Sequence, residues 1–290
     1  MSILEYAIVV NPAAGRMVRA DSRNRLDLIA QKLRAPILGL DTTSVQDFRA
    51  CVAQVSQDCR VLLVAGGDGA FAEAINSLAA DPILGFLPFG AGNALGYALG
   101  TIRSQAGYLA KVVRGEYSRV SVILVNETRK SLLASLGVDA LALHKCTRLT
   151  LFPHHGFLPY ALALAAAMDS FVPADLDIRI DGQGWRLSDN LITIISKHPY
   201  YGYGLLVNPQ ASLTEPLLYL RTINNPRLAT PALLEAAARK KTAVAGFFQQ
   251  GKRIDVACST EQWLQCDGEC MGPGKEFSFQ VLPDELKLIM

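Results

Sequence analysis

The sequence predicts an α/β protein: a parallel α/β domain at the N-terminal end, then a second, mostly antiparallel, β-rich and sandwich-like domain. Three observations carry that expectation. Over residues 1–120, apolar runs of strand length alternate with helical patterns; three of those strands run directly into turns containing glycine; and beyond residue 120 short β-rich runs are separated by turn signals.

In the first part the pattern predicts strands at 6–10, 36–40, 61–65 and 83–88, with helices near 21–33, 45–56, 70–80, 93–100 and 104–114. Phe71, Ala74, Ile75 and Leu78 fall at i, i+3, i+4 and i+7, which gives the third helix one buried stripe. In the second part the runs Val120–Val125, Leu176–Ile180, Leu191–Ile195 and Phe277–Val281 read as strands. Asp181-Gly182, Asn224-Asn225-Pro226 and Asp267-Gly268 read as turns between strands. Helical insertions are expected near 157–171 and near 231–245, the latter ending in Arg239-Lys240-Lys241 and Gly246. The expected domains are therefore 1–120, with 284–290 returning to it, and 121–283. Open parallel sheets take ligands outside the carboxyl ends of their strands, so a cleft between the two domains is the expected site.

Composition narrows the function classes. Half of the 290 residues are apolar, enough for a substantial core, and the net charge of +2 is too balanced for a nucleic-acid footprint. The most apolar stretch, Phe157 to Met168, contains Pro159 and stops at Asp169. It falls short of the roughly 20 residues that span a bilayer. The N-terminus shows neither a basic leader nor a small-residue cleavage site, so a cytoplasmic protein is expected. Cys51, Cys59, Cys146, Cys258, Cys266 and Cys270 then read as reduced thiols, and with His144, His154, His155 and His198 they show no zinc-ligand spacing.

The chemistry is concentrated in the glycine turns. Val61–Ala65 leads into Gly66-Gly67-Asp68-Gly69, and Ile83–Pro88 leads into Phe89-Gly90-Ala91-Gly92-Asn93, each followed by a helical pattern. Glycine lets a ligand approach the backbone, and a helix start offers unpaired N–H groups and a positive dipole end, so the two loops read as a polyphosphate cradle. Tyr6–Val10 leads into a third turn, Asn11-Pro12-Ala13-Ala14-Gly15-Arg16. Asp68 is anomalous there, since a carboxylate would repel phosphate unless it binds a cation or accepts a proton. An ordinary helix N-cap is the alternative explanation. Gln262-Trp263-Leu264-Gln265-Cys266-Asp267-Gly268-Glu269 reads by itself as a hairpin.

Taken in order, Asn11-Pro12-Ala13-Ala14-Gly15, Gly66-Gly67-Asp68-Gly69, Pro88-Phe89-Gly90-Ala91-Gly92-Asn93 and Asp267-Gly268-Glu269 resemble the diacylglycerol and sphingosine lipid kinases. Gly137-Val138-Asp139-Ala140 and Leu206–Ala211 extend the resemblance over nearly the whole chain. It implies an N-terminal nucleotide-binding domain and transfer of the γ-phosphoryl group of ATP, with Mg²⁺, to a lipid hydroxyl, a reaction that needs alignment and charge neutralisation above all. By the same resemblance Asn11, Gly66, Gly67, Gly69, Gly90, Gly92 and Asn93 line the nucleotide, with Thr42 a further candidate. Asp68 and Glu269 meet across the cleft as catalytic carboxylates and magnesium ligands, with Asp68 favoured as the base. Asp139 lies near the polar head of the lipid, and the segment from Phe152 to Phe171 lies around its chain.

The chain departs from the family pattern at several places. Ala70 and Ala91 replace residues with hydroxyl groups, Ala94 stands where many bacterial members carry Asp, and Glu215-Pro216 stands where they show the Asp-Gly of a structural magnesium site. Expected partners are the lipid substrate, a transient membrane surface touched by Arg239-Lys240-Lys241, Phe247-Phe248 and Lys252-Arg253, and a second copy of the chain paired through strand edges. NAD kinase, which shares the Gly-Gly-Asp-Gly loop, is the enzymatic alternative; a non-catalytic nucleotide- or lipid-binding protein is the other. Two apparent motifs are set aside. Gly246–Arg253 lacks the Ser or Thr of a Walker A loop and is expected to be a loop, and Gly90–Gly96 has its third glycine one place late for a dinucleotide fingerprint.

Overall fold

The computed structural model describes residues 3–12, 20–146, 157–224 and 246–290. The expectations placed on 13–16, on 152–156, on 225–226 and on 231–245, including Arg239-Lys240-Lys241, lie outside these residues. The chain divides into two compact units, 1–120 with 284–290, and 121–283.

The first unit alternates strands and helices in chain order: β1 (Leu4–Val10), α1 (Ala20–Leu33), β2 (Ile37–Leu38), α2 (Val45–Asp58), β3 (Cys59–Gly66), α3 (Asp68–Ile75), β4 (Ile83–Pro88), α4 (Ala94–Ala98) and α5 (Gln105–Arg114). Its sheet has the order β2-β1-β3-β4, with every pair parallel. Lys287 and Leu288 add a further parallel pairing beside Ile83 and Leu84. Ala7–Val10 and Val61–Ala65 are buried without alternation, as strands covered on both faces must be. Ser44 and Asp47 close a reciprocal capping box at the start of α2.

Two boundaries differ from the sequence expectation. The strand expected at 36–40 is confined to Ile37–Leu38 because Gly39 takes φ +85°, where a Cβ would lie 2.9 Å from the Val10 carbonyl oxygen. The helix expected to reach residue 80 ends at Ile75. There Asn76 Nδ2 donates to the Ala72 carbonyl and Ser77 Oγ to that of Glu73, each at 2.7 Å, and these side chains satisfy the last turn. Phe71, Ala74 and Ile75 are nonetheless buried as the stripe requires.

The second unit begins within β5 (Ser118–Val125) and continues through β6 (Arg129–Ser131), β7 (Leu133–Gly137), α6 (Val138–Cys146), α7 (Phe157–Ser170), β8 (Ala174–Ile180), β9 (Gln183–Asn190), β10 (Ile192–Ser196), β11 (Tyr200–Tyr201), β12 (Leu205–Leu206), β13 (Leu218–Ile223), β14 (Phe247–Gly251), β15 (Arg253–Cys266) and β16 (Glu269–Leu288). Its pairings are antiparallel, in the order β14-β13-β10-β7-β15-β16. The register of β15 breaks between Ala257 and Gln262, so its first half pairs with β8 and its second half with β7. One long strand thus joins two pairings around a core that includes Ile178, Ile195, Leu220, Val256, Leu264 and Phe279. Burial of each large aliphatic side chain there contributes about 1.5–3 kcal/mol. A separate apolar cluster joins α6 to α7 through Ala142, Cys146, Ala163 and Ala167.

Gly246–Arg253, expected to be a loop, contains β14, which pairs with β13 from Leu218↔Gly251 to Thr222↔Phe247. The Phe rings supply the apolar side chains of an edge strand. Residues 207–217, between β12 and β13, are irregular and held by buried polar groups. Asn208 Nδ2 donates to Ser196 Oγ at 2.8 Å and to the Tyr219 carbonyl at 3.1 Å. The Lys197 ammonium donates to the carbonyls of Glu215 and Leu217, the latter at 2.6 Å. All six cysteines are free thiols.

Candidate active site

The carboxyl ends of β1, β3 and β4 converge through backbone hydrogen bonds. Asn11 N–H donates to the Ala65 carbonyl at 3.1 Å, and the N–H groups of Phe89 and Gly90 both donate to the Gly66 carbonyl, at 2.8 and 3.0 Å. Gly67 and Gly90 then lie face to face: a Cβ on Gly90 would sit 2.4 Å from the Gly67 Cα. Bare backbone on both sides is what allows the two loops to touch. The structure therefore brings Asn11, Gly66, Gly67 and Gly90 into one neighbourhood, with Gly69 in the first turn of α3 and Gly92 in the turn before α4.

Asp68 is neither free among the glycines nor the N-cap of its own helix, a position taken by Gly67 without a side-chain bond. Its carboxylate reaches the start of α4, where Oδ2 accepts from Ala94 N–H at 2.9 Å and Oδ1 from Leu95 N–H at 3.0 Å. The second loop was expected to present unpaired helix-start N–H groups to phosphate. That expectation is corrected: an internal carboxylate already occupies these two, and the repulsion anticipated for Asp68 is absorbed by the N–H dipoles. Burial pushes the Asp68 carboxyl above its usual range, while hydrogen bonds from the backbone of Leu95, Ala94, Asp68 and Asn93 pull the other way.

Asn93 occupies the left-handed region at φ +47° and donates through Nδ2 to the Gly90 carbonyl at 2.6 Å. Its Oδ1 is buried and has no hydrogen-bond partner among the described residues. A phosphate oxygen cannot satisfy an acceptor, so this atom calls for a donor or a cation. Thr42, the weaker nucleotide candidate, donates its hydroxyl to the Gly39 carbonyl at 2.7 Å within the turn that precedes α2. Arg25 on α1 was missed by sequence reasoning; its guanidinium lies over the Phe89 ring at 5.5 Å. A single Arg in a polar helix carries no signal of such a neighbour.

In the second unit, Glu269 opens β16 and accepts from Arg129 Nη2 at 2.8 Å. The preceding turn takes φ +49° at Asp267 and +85° at Gly268, the mirror-image geometry that favours Asp-Gly. The buried Asp267 carboxylate accepts from Ser131 Oγ at 2.7 Å and from the N–H groups of Leu132 and Leu133. The hairpin reading and a fixed position for Glu269 are thus one arrangement. Asp139, on α6, is 2% exposed; its Oδ2 accepts from Ser135 Oγ and, at 2.8 Å, from Tyr201 Oη. Its Oδ1 has no partner among the described residues, and burial raises its carboxyl above the usual range. Arg129, Tyr201 and Gln265 were missed because each acts on a residue distant in sequence, and Ser135, four residues before Asp139, because its pairing depends on the turn from β7 into α6.

Phe247, Phe248 and Arg253 are engaged within the unit. Phe247 packs near Trp185 with ring centroids 6.2 Å apart, Arg221 lies 4.8 Å over the Phe248 ring, and Arg253 pairs with Asp255. No helix of the described residues is long and apolar enough to cross a membrane.

The residues present suit magnesium in one way and not in another. Among the described residues no group of three or more His, Cys, Asp or Glu side chains is arranged to hold a metal. A magnesium ion that arrives with phosphates needs only one or two protein oxygens, and Asp68 with the open Asn93 Oδ1 fits that requirement. A structural magnesium at Glu215-Pro216 does not fit, because the Lys197 ammonium already takes the Glu215 and Leu217 carbonyls.

Comparison with known proteins follows the same division of the chain. The family described as diacylglycerol kinase catalytic domain matches residues 5–125, and the YegS C-terminal NAD kinase beta sandwich-like domain matches 133–290. A diacylglycerol kinase of Mycobacterium tuberculosis is 28% identical over 73% of this chain and 68% of its own. A solved diacylglycerol kinase from Bacillus anthracis superposes with a TM-score of 0.75 at 20% identity, covering 100% of this chain and 98% of that one. An NAD kinase from Archaeoglobus fulgidus, solved with ATP, shares the fold more distantly, with a TM-score of 0.52 at 14% identity over 98% of this chain and 93% of that one. The loops, the two-unit architecture and these matches agree: the chain belongs to the diacylglycerol kinase catalytic-domain family of lipid kinase-like enzymes, in the form that carries a YegS-type C-terminal β-sandwich.

Proposed function

We propose that this chain is an ATP-dependent kinase that phosphorylates the hydroxyl of a hydrophobic lipid alcohol of the diacylglycerol or sphingosine kind. The observation that carries the reading is the Asp68 carboxylate held between two glycine loops that touch through bare backbone. In the reaction the acceptor oxygen bonds to the γ-phosphorus, the bond from that phosphorus to the leaving oxygen of ADP breaks, and the hydroxyl proton passes to a carboxylate.

Asn11, Gly66, Gly67, Gly69, Gly90, Gly92 and Asn93 line the triphosphate in this reading, with Thr42 at the margin. Asp68 takes the proton: burial raises its basicity, and the α4 N–H groups fix its direction. A magnesium ion arriving with the phosphates would be held by Asp68 and the open Asn93 Oδ1, with Glu269 the further ligand that the family resemblance implies, and would supply neutralisation of phosphate charge. Glu269, aimed by Arg129 and the Asp267-Gly268 turn, is the second catalytic carboxylate of this reading. Asp139 meets the polar head of the acceptor with its open Oδ1, beside the apolar layer of α6 and α7.

Labelled ATP with magnesium, offered in parallel with lipid alcohols in mixed vesicles and with NAD, tests the reading. Label is expected in the lipid extract. Label in NADP, or in neither acceptor, would overturn it. Glu269→Gln is expected to lose at least ~100-fold in lipid turnover.

A further inference from the structure

Gln265 is buried on β15, 1% exposed, directly opposite Ser135 of β7 in the strand register. Both ends of its amide are used. Oε1 accepts from Gly268 N–H at 2.9 Å, and Nε2 donates to Ser135 Oγ at 2.7 Å, with Tyr201 Oη at 3.4 Å. Because a backbone N–H can only donate, the amide has one orientation here. Ser135 and Tyr201 each direct a hydroxyl proton to Asp139 Oδ2, so the Ser135 oxygen meets Gln265 as an acceptor. A continuous line of donors therefore runs from Gly268, next to Glu269, through Gln265 and Ser135 to Asp139.

We propose that Gln265 is a positioning residue that couples the Asp139 carboxylate to the Asp267-Gly268 turn, so that the acceptor site and the setting of Glu269 are held as one unit. The functional meaning rests on the roles given above to Asp139 and Glu269; the coupling itself does not. Only a side chain with an acceptor and a donor on one planar group completes the line: Leu supplies neither, and an ionised Glu supplies no donor. Hydrogen-bond chains of this kind strengthen one another in a dry interior, and loss of one member leaves buried partners unsatisfied. The line ends on Asp139 Oδ2, and the other carboxylate oxygen, Oδ1, has no hydrogen-bond partner among the described residues.

Two measurements on the full chain test the coupling. The first is the amide exchange rate of Gly268 in the parent, Asp139→Asn, Gln265→Leu and the double variant. Each single change is expected to speed Gly268 exchange about tenfold or more, and the double variant is expected to exchange no faster than Gln265→Leu. An Asp139→Asn protein whose Gly268 exchanges at the parent rate, or additive effects in the double variant, overturns the proposal.

The second is the pH profile of Gln265→Glu in lipid phosphorylation. A protonated Glu regains the missing donor, so turnover relative to the parent is expected to recover as pH falls from 8 to 6, with ATP affinity unchanged throughout. The titratable groups at this end of the line are Tyr201 from β11, which Gln265 meets directly, Asp139 from α6, which it reaches through Ser135, and Tyr160 from α7 beside both of them. All are shared with the parent, so a pH-dependent ratio reports the introduced carboxyl together with its coupling to Asp139. A pH-independent ratio overturns the kinetic half. If the parent phosphorylates no lipid while the exchange cycle behaves as stated, the substrate reading fails and the coupling stands.

Discussion

Substitution of Gly90 by Ala tests the contact on which the nucleotide site is built. The added methyl carbon would lie 2.4 Å from the Gly67 Cα, 2.9 Å from Asn93 Oδ1 and 3.1 Å from the Gly67 nitrogen. Non-bonded carbons settle at about 3.5–4.0 Å, so the loops must part by roughly 1 Å, against backbone rather than a flexible side chain. Overpacking of this kind costs about 1–3 kcal/mol, which corresponds to a fall of several degrees in the melting temperature of a domain of this size. The methyl group also pushes on Asn93, so nucleotide affinity is expected to fall more than stability alone would suggest. Gly67→Ala, whose Cβ would lie 3.2 Å from the Gly90 Cα, needs only a few tenths of an ångström and is expected to cost less. Gly184→Ala, with nothing within 4 Å of its Cβ, is the neutral control. Thermal melts and ATP titration of the three variants give the order. A Gly90→Ala protein that melts and binds ATP like the parent would refute the argument that these loops need bare backbone.

Three further outcomes follow from the same geometry. Asp68→Asn is expected to abolish turnover and also to weaken ATP binding roughly tenfold, because an amide offers one acceptor where the carboxylate serves both Ala94 and Leu95; parent-like turnover would remove Asp68 from the mechanism. Burial pushes His198 down to about 4 from 6.5, with the unfolded chain taking the proton first, so stability is held above pH 6.5 and lost as pH falls toward 4. That loss is about 3 kcal/mol once pH falls through 4, and melts of the parent against His198→Gln between pH 7 and 4.5 should show the steeper acid slope in the parent. Lys197→Met, which keeps the bulk and removes the charge, is expected to cost about 1–3 kcal/mol in urea unfolding, because the Glu215 and Leu217 carbonyls lose their donor; an unchanged midpoint would count against the ammonium as the clamp of that loop.

What the chain declares in sequence depends on how local the physics is. The alternation of β1 to α5 was legible because each element buries a continuous apolar run or a stripe, and Asp181-Gly182 and Asp267-Gly268 were legible because their turns need residues that tolerate positive φ. The carbonyl bonds of Asn76 and Ser77, which end α3 early, are also local but offset the weaker apolar signal of Leu78. Asp68 was legible as an anomaly, and its partner was not, because the N–H groups that hold it belong to a helix 26 and 27 residues later. Gln265 lies inside the hairpin motif, where nothing local marks it. Its meaning appears only when β7 is laid beside β15 and Ser135 comes opposite.

The ammonium under residues 207–217 has a consequence for how this protein meets its surroundings. A bound ion can be lost to a chelator or to scarcity, whereas a charge borne on a side chain is supplied with every copy translated. The hold on the Glu215 and Leu217 carbonyls therefore draws on no divalent metal, and a chelator is expected to leave that loop intact.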